Sequence, residues 1–344
     1  MVIGTHGRAA YVLDDVRPLR AIAADPAILD APLHLFEVPS TIQYQVKQVG
    51  GYRFLADAMF AGANREYGAL LTYGIGGAGE AGGTAEGAER QSGRGERMAK
   101  IEVLDVAGEV IRTFEGPATP GINRTAWNLR RDGVRGPRDP DDEPREVLPP
   151  GPDVLPGEYT IRVTLEGRRT TATVTVAPDP RFDIPRAHRE RKYAVELQAM
   201  RRREVGVDAV NRIRDTRQAV DDVLERIEHR EDALADSART AADSLKQHLT
   251  KLEEEFVGPQ DLQGIVRRPD AALSLLGSAA NALGSSWEAP TETQLLYLRQ
   301  AEERLREALG RVNELFAGEV GMFRTLVDRL SIERIPSYAP LEMN

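Results

Sequence analysis

LPGEYTIRVTLEGRRTTATVTVAPDPRFDIP, Leu155 to Pro185, carries two periodicities and the break between them. Tyr159, Ile161, Val163 and Leu165 fall on one face, with Thr160, Arg162, Thr164 and Glu166 on the other. That is the period of two expected of a half-buried strand. Glu166-Gly167 supplies a turn, and Ala172, Val174 and Val176 continue the apolar face on a returning strand. Pro178, Pro180 and Pro185 then interrupt ladder pairing, and beyond them apolar residues recur every three or four positions. A β domain over 21–180 therefore gives way to a helical domain over 181–344.

The helical half reads as four main segments. Tyr193, Leu197, Met200, Val207, Val210, Ile213, Val220, Leu224 and Ile227 mark one long helix of roughly 40 residues, with Asp183 as its expected N-cap. A second helix carries Leu234 to Phe256 and stops at Gly258-Pro259. A third starts near Pro269-Asp270, and a fourth at Thr291, where Gln294 completes a capping box. A short helical continuation runs through Leu326 and Leu330. The simplest packing is an antiparallel bundle with one long member.

Working back toward the start, Gly121 to Arg130 alternates so that Thr125, Trp127 and Leu129 share a face, which puts the indole in the core. Ile101–Val106 and Val110–Phe114 form a hairpin across Ala107-Gly108-Glu109, and a strand runs from Tyr67 to Ile75. Between these lies 74–97, rich in Gly, Ala, Glu and Arg. It has few side chains large enough to offset the entropy of ordering and is expected to be a mobile insertion. Asp132 to Pro152 reads as a Pro-rich charged loop and Ala21 to Pro39 as a linker. Short strands at regular spacing point to an antiparallel sandwich of immunoglobulin or fibronectin type, so the fold class is α+β in two domains. The first residues, MVIGTHGRAAYVLDD, form a two-stranded piece too short to bury a face, expected to be loosely held or an edge prone to association.

Composition excludes several chemistries. Lys plus Arg number 45 against 54 Asp plus Glu, a net charge of −9, which disfavours non-specific binding to nucleic acid. With no cysteine there is no disulfide, thiolate metal site or cysteine nucleophile. No stretch reads as a membrane span. The five histidines show no HExxH or i,i+4 pairing, and GxSxG, P-loop and Rossmann patterns are lacking.

Several motifs, taken in order, resemble the region that follows the propeller in bacterial sialidase-like proteins of the BNR/Asp-box and sortilin-like (VPS10) type, the "glycosyl hydrolases". They are GTHGR before Asp14-Asp15, GANREYGALLTY at 62–73, VLDVAGEVIRTF at 103–114, GINRTAWNLR at 121–130, and LPGEYTIRV with APDPR. Arg65-Glu66 departs from the family, which more usually has prolines there. The resemblance implies that 1–20 is the remnant of a last propeller blade and that any glycosidase machinery lies upstream. It further implies a secreted or cell-envelope setting and the missing propeller as partner, with carbohydrate or protein as further candidates. The Asp-box SxDxGxTW does not occur in the chain.

Each candidate site has a structural alternative. His6 and Arg8 could sit at a propeller mouth, but glycines at a blade corner explain GTHGR without a ligand. Asp14 and Asp15, adjacent in an extended segment, point to opposite faces and cannot flank one bond. Asp139 to Glu143 lacks the glycine and downstream glutamate of a calcium loop. Arg201-Arg202-Arg203 fans around its helix among Glu190, Glu196 and Glu204. Trp127 and Tyr159 are assigned to the core, although aromatics on such strands can also face sugar rings. No catalytic set, metal site or cofactor site follows from the residues. The expected function is a non-catalytic accessory region supporting a propeller. Two alternatives stand beside it: a wall of an intact glycoside hydrolase, and a helical interaction module.

Overall fold

The computed structural model describes residues 1–4, 6, 10–45, 65–76, 97–139, 147–259 and 270–331. The chain mixes helices with mainly antiparallel sheets. It divides into two compact units, Met1–Gly133 with Pro144–Tyr193, and Val134–Glu143 with Ala194–Asn344.

In the first unit, β1 (Val2–Gly4) and β2 (Ala10–Val12) form a separate hairpin. Val2, Ile3, Tyr11 and Val12 are all exposed, because two short strands have no second layer of their own. The expected linker contains a helix, α1 (Arg17–Ala24), started by Pro18 in its first turn. After it come β3 (His34–Leu35) and β4 (Thr41–Gln43).

Strand β5 (Ala69–Ile75) is buried on both faces, and Tyr67 lies outside it. It pairs with β3 and with β8 (Gly121–Trp127) in a three-stranded sheet. Because β5 runs to Ile75 and β6 (Met98–Leu104) starts at Met98, the interval between them is shorter than the insertion drawn at 74–97; residues 77–96 lie outside the described residues. The hairpin from β6 to β7 (Val110–Pro117) turns at Asp105, whose Oδ1 accepts from the Ala107 and Glu109 N–H groups. Val106, expected in the strand, sits in that turn and is exposed.

Strands β9 (Arg130–Asp132) and β10 (Pro150–Asp153) pair inside the segment expected to be a loop. The stretch with which the sequence analysis began forms β11 (Gly157–Leu165) and β12 (Arg168–Pro178), joined by Glu166 and Gly167 with φ of 50° and 80°. Two left-handed central residues make the tight turn that matches strand twist. The order of the five-stranded sheet is β4-β12-β11-β6-β7. Its β12–β4 pair is parallel, contrary to the expectation of a wholly antiparallel sandwich. The two strands lie more than a hundred residues apart in the chain, so no tight hairpin constrains their direction.

One core joins both sheets: Leu71, Tyr73 and Trp127 from the smaller meet Ile101, Ile161, Val163 and Val174 from the larger. The unit also includes the start of α2 (Arg186–Arg226), so the division falls at Tyr193 instead of 180. Arg131 ties that first stretch of helix to the strands, donating 2.9 Å from Nη1 to the Tyr193 hydroxyl. Asp183 does not cap α2. The Pro185 carbonyl accepts from His188 and Arg189, which makes Pro185 the boundary residue.

In the second unit the remainder of α2 is followed by α3 (Ala233–Val257), α4 (Ala272–Leu283), α5 (Glu292–Leu315) and α6 (Gly321–Leu330). Asp232 caps α3, and Gly258, with φ of 78°, ends it. Thr291 and Gln294 form the expected capping box. A π-helical turn, Phe316–Val320, separates α5 from α6. Val210, Ile213, Leu245, Leu249, Phe256, Leu276, Leu305 and Phe323 belong to a single core. Glu253, buried on α3, accepts from Arg214 (2.8 Å) and Arg217 of α2.

Candidate functional site

Of the two residues expected in the core, Trp127 lies in it and Tyr159 packs against it, partly buried. Trp127 is 1% exposed and donates from Nε1 to the Arg130 carbonyl at 2.9 Å. Tyr159 meets its ring edge-on, 5.2 Å between centroids, and donates its hydroxyl to the Leu155 carbonyl at 2.6 Å. Burial pushes the Tyr159 pKa up. Trp127 is closed off from solvent, and Tyr159 is partly buried. His6 is exposed in the turn between β1 and β2, and Arg8 lies outside the described residues. Asp14 is exposed and Asp15 buried, so that pair is divided as expected. Asp15 Oδ1 accepts from the Arg17 backbone N–H (3.0 Å) and from Arg17 Nε (2.9 Å). Of the acidic run, residues 140–143 lie outside the described residues. Within the arginine triplet, Arg202 pairs with Glu302 at 2.9 Å.

The structure assembles a cleft that the sequence analysis did not anticipate. It has a volume of about 410 Å³ and is bounded by Ser40–Tyr44, by Arg65–Gly68 and by Asp179–Arg181. Its geometry starts from β4: Thr41 and Gln43 are buried and Ile42 and Tyr44 exposed, as alternation requires. Thr41 donates its hydroxyl to the Gly68 carbonyl at 2.9 Å, and Gln43 Nε2 donates to the Val154 carbonyl at 2.8 Å. These bonds anchor a strand only three residues long. The Tyr44 and Tyr67 rings meet edge to face at 5.0 Å and 86°. Burial raises the Tyr67 pKa to about 12, with the Asp153 carboxylate adding to the effect.

At the other wall Asp179 is 2% exposed. It accepts from the Arg181 backbone N–H at 3.0 Å, from Nε at 2.9 Å and from Nη2 at 2.6 Å. The Arg181 hydrogen bond holds the Asp179 carboxyl below its usual pKa. Arg181 Nη2 also donates to the Gln45 carbonyl at 3.2 Å, and its guanidinium lies 5.7 Å from the Phe182 ring centroid. A buried carboxylate thus fixes an exposed cation at the rim. The signal available in the sequence was the repeated Asp-x-Arg: Asp15-Val16-Arg17 and Asp179-Pro180-Arg181 fold into the same short loop of bonds.

The helical unit has a second groove, about 370 Å³, lined by Val220, Val223, Leu245, Phe323 and Val327. Among the described residues no group of three or more His, Asp or Glu side chains is placed to hold a metal ion, and no helix is long and apolar enough to cross a membrane. No family model matches the chain, and neither does any curated protein or solved structure.

Proposed function

We propose that the chain is a non-catalytic accessory region of a sialidase-like propeller protein, an immunoglobulin-type sandwich with a helical bundle that packs on and supports the propeller. The reading rests on the ordered motif resemblance. The observation that carries its non-catalytic part is the use made of buried carboxylates. Asp15 is bound to Arg17, Glu102 to Arg162 and Lys100, Asp179 to Arg181, and Glu253 to Arg214 and Arg217. Acid–base hydrolysis needs two carboxyls flanking one bond, one of them with a raised pKa. Asp15, Glu102 and Asp179 are instead held below their usual values.

Two features support the architectural part. The Tyr159 hydroxyl bonds back to a carbonyl four residues upstream, as in the tyrosine corner of immunoglobulin-type sandwiches. The exposed apolar residues of β1 and β2 suit addition to a larger sheet. The test is an assay of the purified chain on 4-nitrophenyl glycosides, with no hydrolysis above buffer expected. Turnover that disappears in Glu66→Gln or Asp179→Asn would overturn the reading.

A further inference from the structure

We infer that the groove of the helical unit is the seat of the chain's own segment 332–344, an inference independent of the accessory reading. Its walls are α2, with Ala219 and Val223, and α6, with Phe323 and Val327; Leu245 of α3, 1% exposed, forms the floor. The two walls run in the same direction, because Leu330 at the end of α6 packs with Ile227, and its carbonyl accepts from Arg230 Nη1 at 2.6 Å. The chain leaves α6 at Ser331, left-handed with φ of 48°, whose N–H donates to the Asp328 carbonyl. A left-handed residue at a helix C-terminus turns the chain off the helical path. Asp328 lines the groove, so the residues that follow start at its mouth.

The sequence after Ser331 has the chemistry to fill it. Ile332, Ile335, Tyr338 and Leu341 recur at every third position, with Pro336 and Pro340 among them. Proline favours the polyproline II conformation and biases the residue before it the same way. That helix has three residues per turn, so the four side chains share one face. At about 3.1 Å per residue Ile332 to Tyr338 covers about 19 Å, against about 12 Å of groove from Asp328 back to Val320. Ile335 is therefore the residue seated between the walls. Two other stretches outside the described residues adjoin this unit. Residues 140–146 carry no aliphatic or aromatic side chain apart from proline, and 260–269 follow the end of α3, about 18 Å along that helix from Leu245.

The test follows tryptic cleavage after Arg334 in the full chain by mass spectrometry. Ala219→Glu sets a charge against the apolar face of the segment and should speed that cleavage about tenfold. Ala219 is exposed, so circular dichroism of the variant should match the parent. A second variant, Ile335→Asp, should release the segment and open the groove to a fluorescein-labelled peptide, IERIPSYAPLEMN. In anisotropy that peptide should bind the variant saturably, about tenfold tighter than the parent, whose own segment competes at high effective concentration. Adding Ala219→Glu to Ile335→Asp should abolish the binding. An unchanged rate of cleavage after Arg334, or no binding to the Ile335→Asp chain, would overturn the inference. Faster cleavage after Arg267 alone would overturn it in favour of 260–269, and a dimer dissolved by Ala219→Glu in favour of a second copy of the chain.

Discussion

In the β unit the largest buried side chains have polar tips, and each tip has a backbone acceptor: Trp127 on Arg130, Tyr73 on Pro117 at 2.5 Å. In the helical unit the core is built from leucines together with Ala209, Ala242, Ala279, Ala301 and Ala308. Packed sheets lie about 10 Å apart and need long side chains to fill the gap. Helices with small residues at their contacts can bring their backbones close. The β unit therefore depends on specific hydrogen bonds made by its largest core side chains, whereas the helical unit fills its core with aliphatic and Phe side chains and keeps its buried charge, Glu253, bonded to Arg214 and Arg217.

Alkali should separate the two most strongly. Burial raises Tyr67 and Tyr73 from 10 to about 12 and Tyr159 further still. These tyrosines stay neutral in the folded unit while those of the unfolded chain ionise. Their contribution is fully present below pH 10 and is lost as the pH rises toward 12. The chain has two tryptophans, Trp127 in the β unit and Trp287 in the helical unit. Single-tryptophan variants, with the other changed to Phe, should show Trp127 emission shifting to the red before Trp287 emission as pH rises. Simultaneous shifts would remove the distinction.

Trp127→Ala should cost about 3–5 kcal/mol in urea unfolding of the β unit, since it empties a closed site and removes the donor to Arg130. Far-UV circular dichroism of the helices should change much less. Gly116→Ala comes next: a Cβ there would lie 2.6 Å from the Tyr73 hydroxyl and 2.8 Å from Ile101 Cδ1. Overpacking of this kind costs about 1–3 kcal/mol. Gly206→Ala in the helical unit meets only the ends of Leu273 and Leu305, at 2.8 and 3.2 Å, and alanine favours helix. It should cost less than Gly116→Ala, and a reversed order would contradict the contrast between a rigid β core and a yielding helical one. The smallest effect expected is Thr291→Ala, about 1 kcal/mol in thermal melting of the helical unit, through loss of the capping box.

Legibility followed the range of the interactions. The alternation from Tyr159 to Leu165, the Glu166-Gly167 turn, the burial of Trp127 and the capping box at Thr291 are local, and all stand in the structure. Helix α1 went unread because its eight residues are too few for a periodic pattern to show. The pairing of β9 with β10 was hidden because proline and charge dominate the segment between them. The cleft escaped for a different reason. The parallel β4–β12 pair brings Ser40–Tyr44 to Asp179–Arg181 across more than a hundred residues, and Arg65–Gly68 reaches the same strand through the Thr41–Gly68 bond and the Tyr44–Tyr67 contact.

By itself, the sequence determined where the period changes, which faces are apolar, and where turns and caps lie, since each depends on residues a few positions apart. Tertiary structure alone decided that β4 joins β12 in parallel, that Asp179 is buried beneath Arg181, and that the start of α2 belongs with the strands. Those outcomes depend on which distant surfaces exclude water together, and no local pattern of residue types encodes that choice.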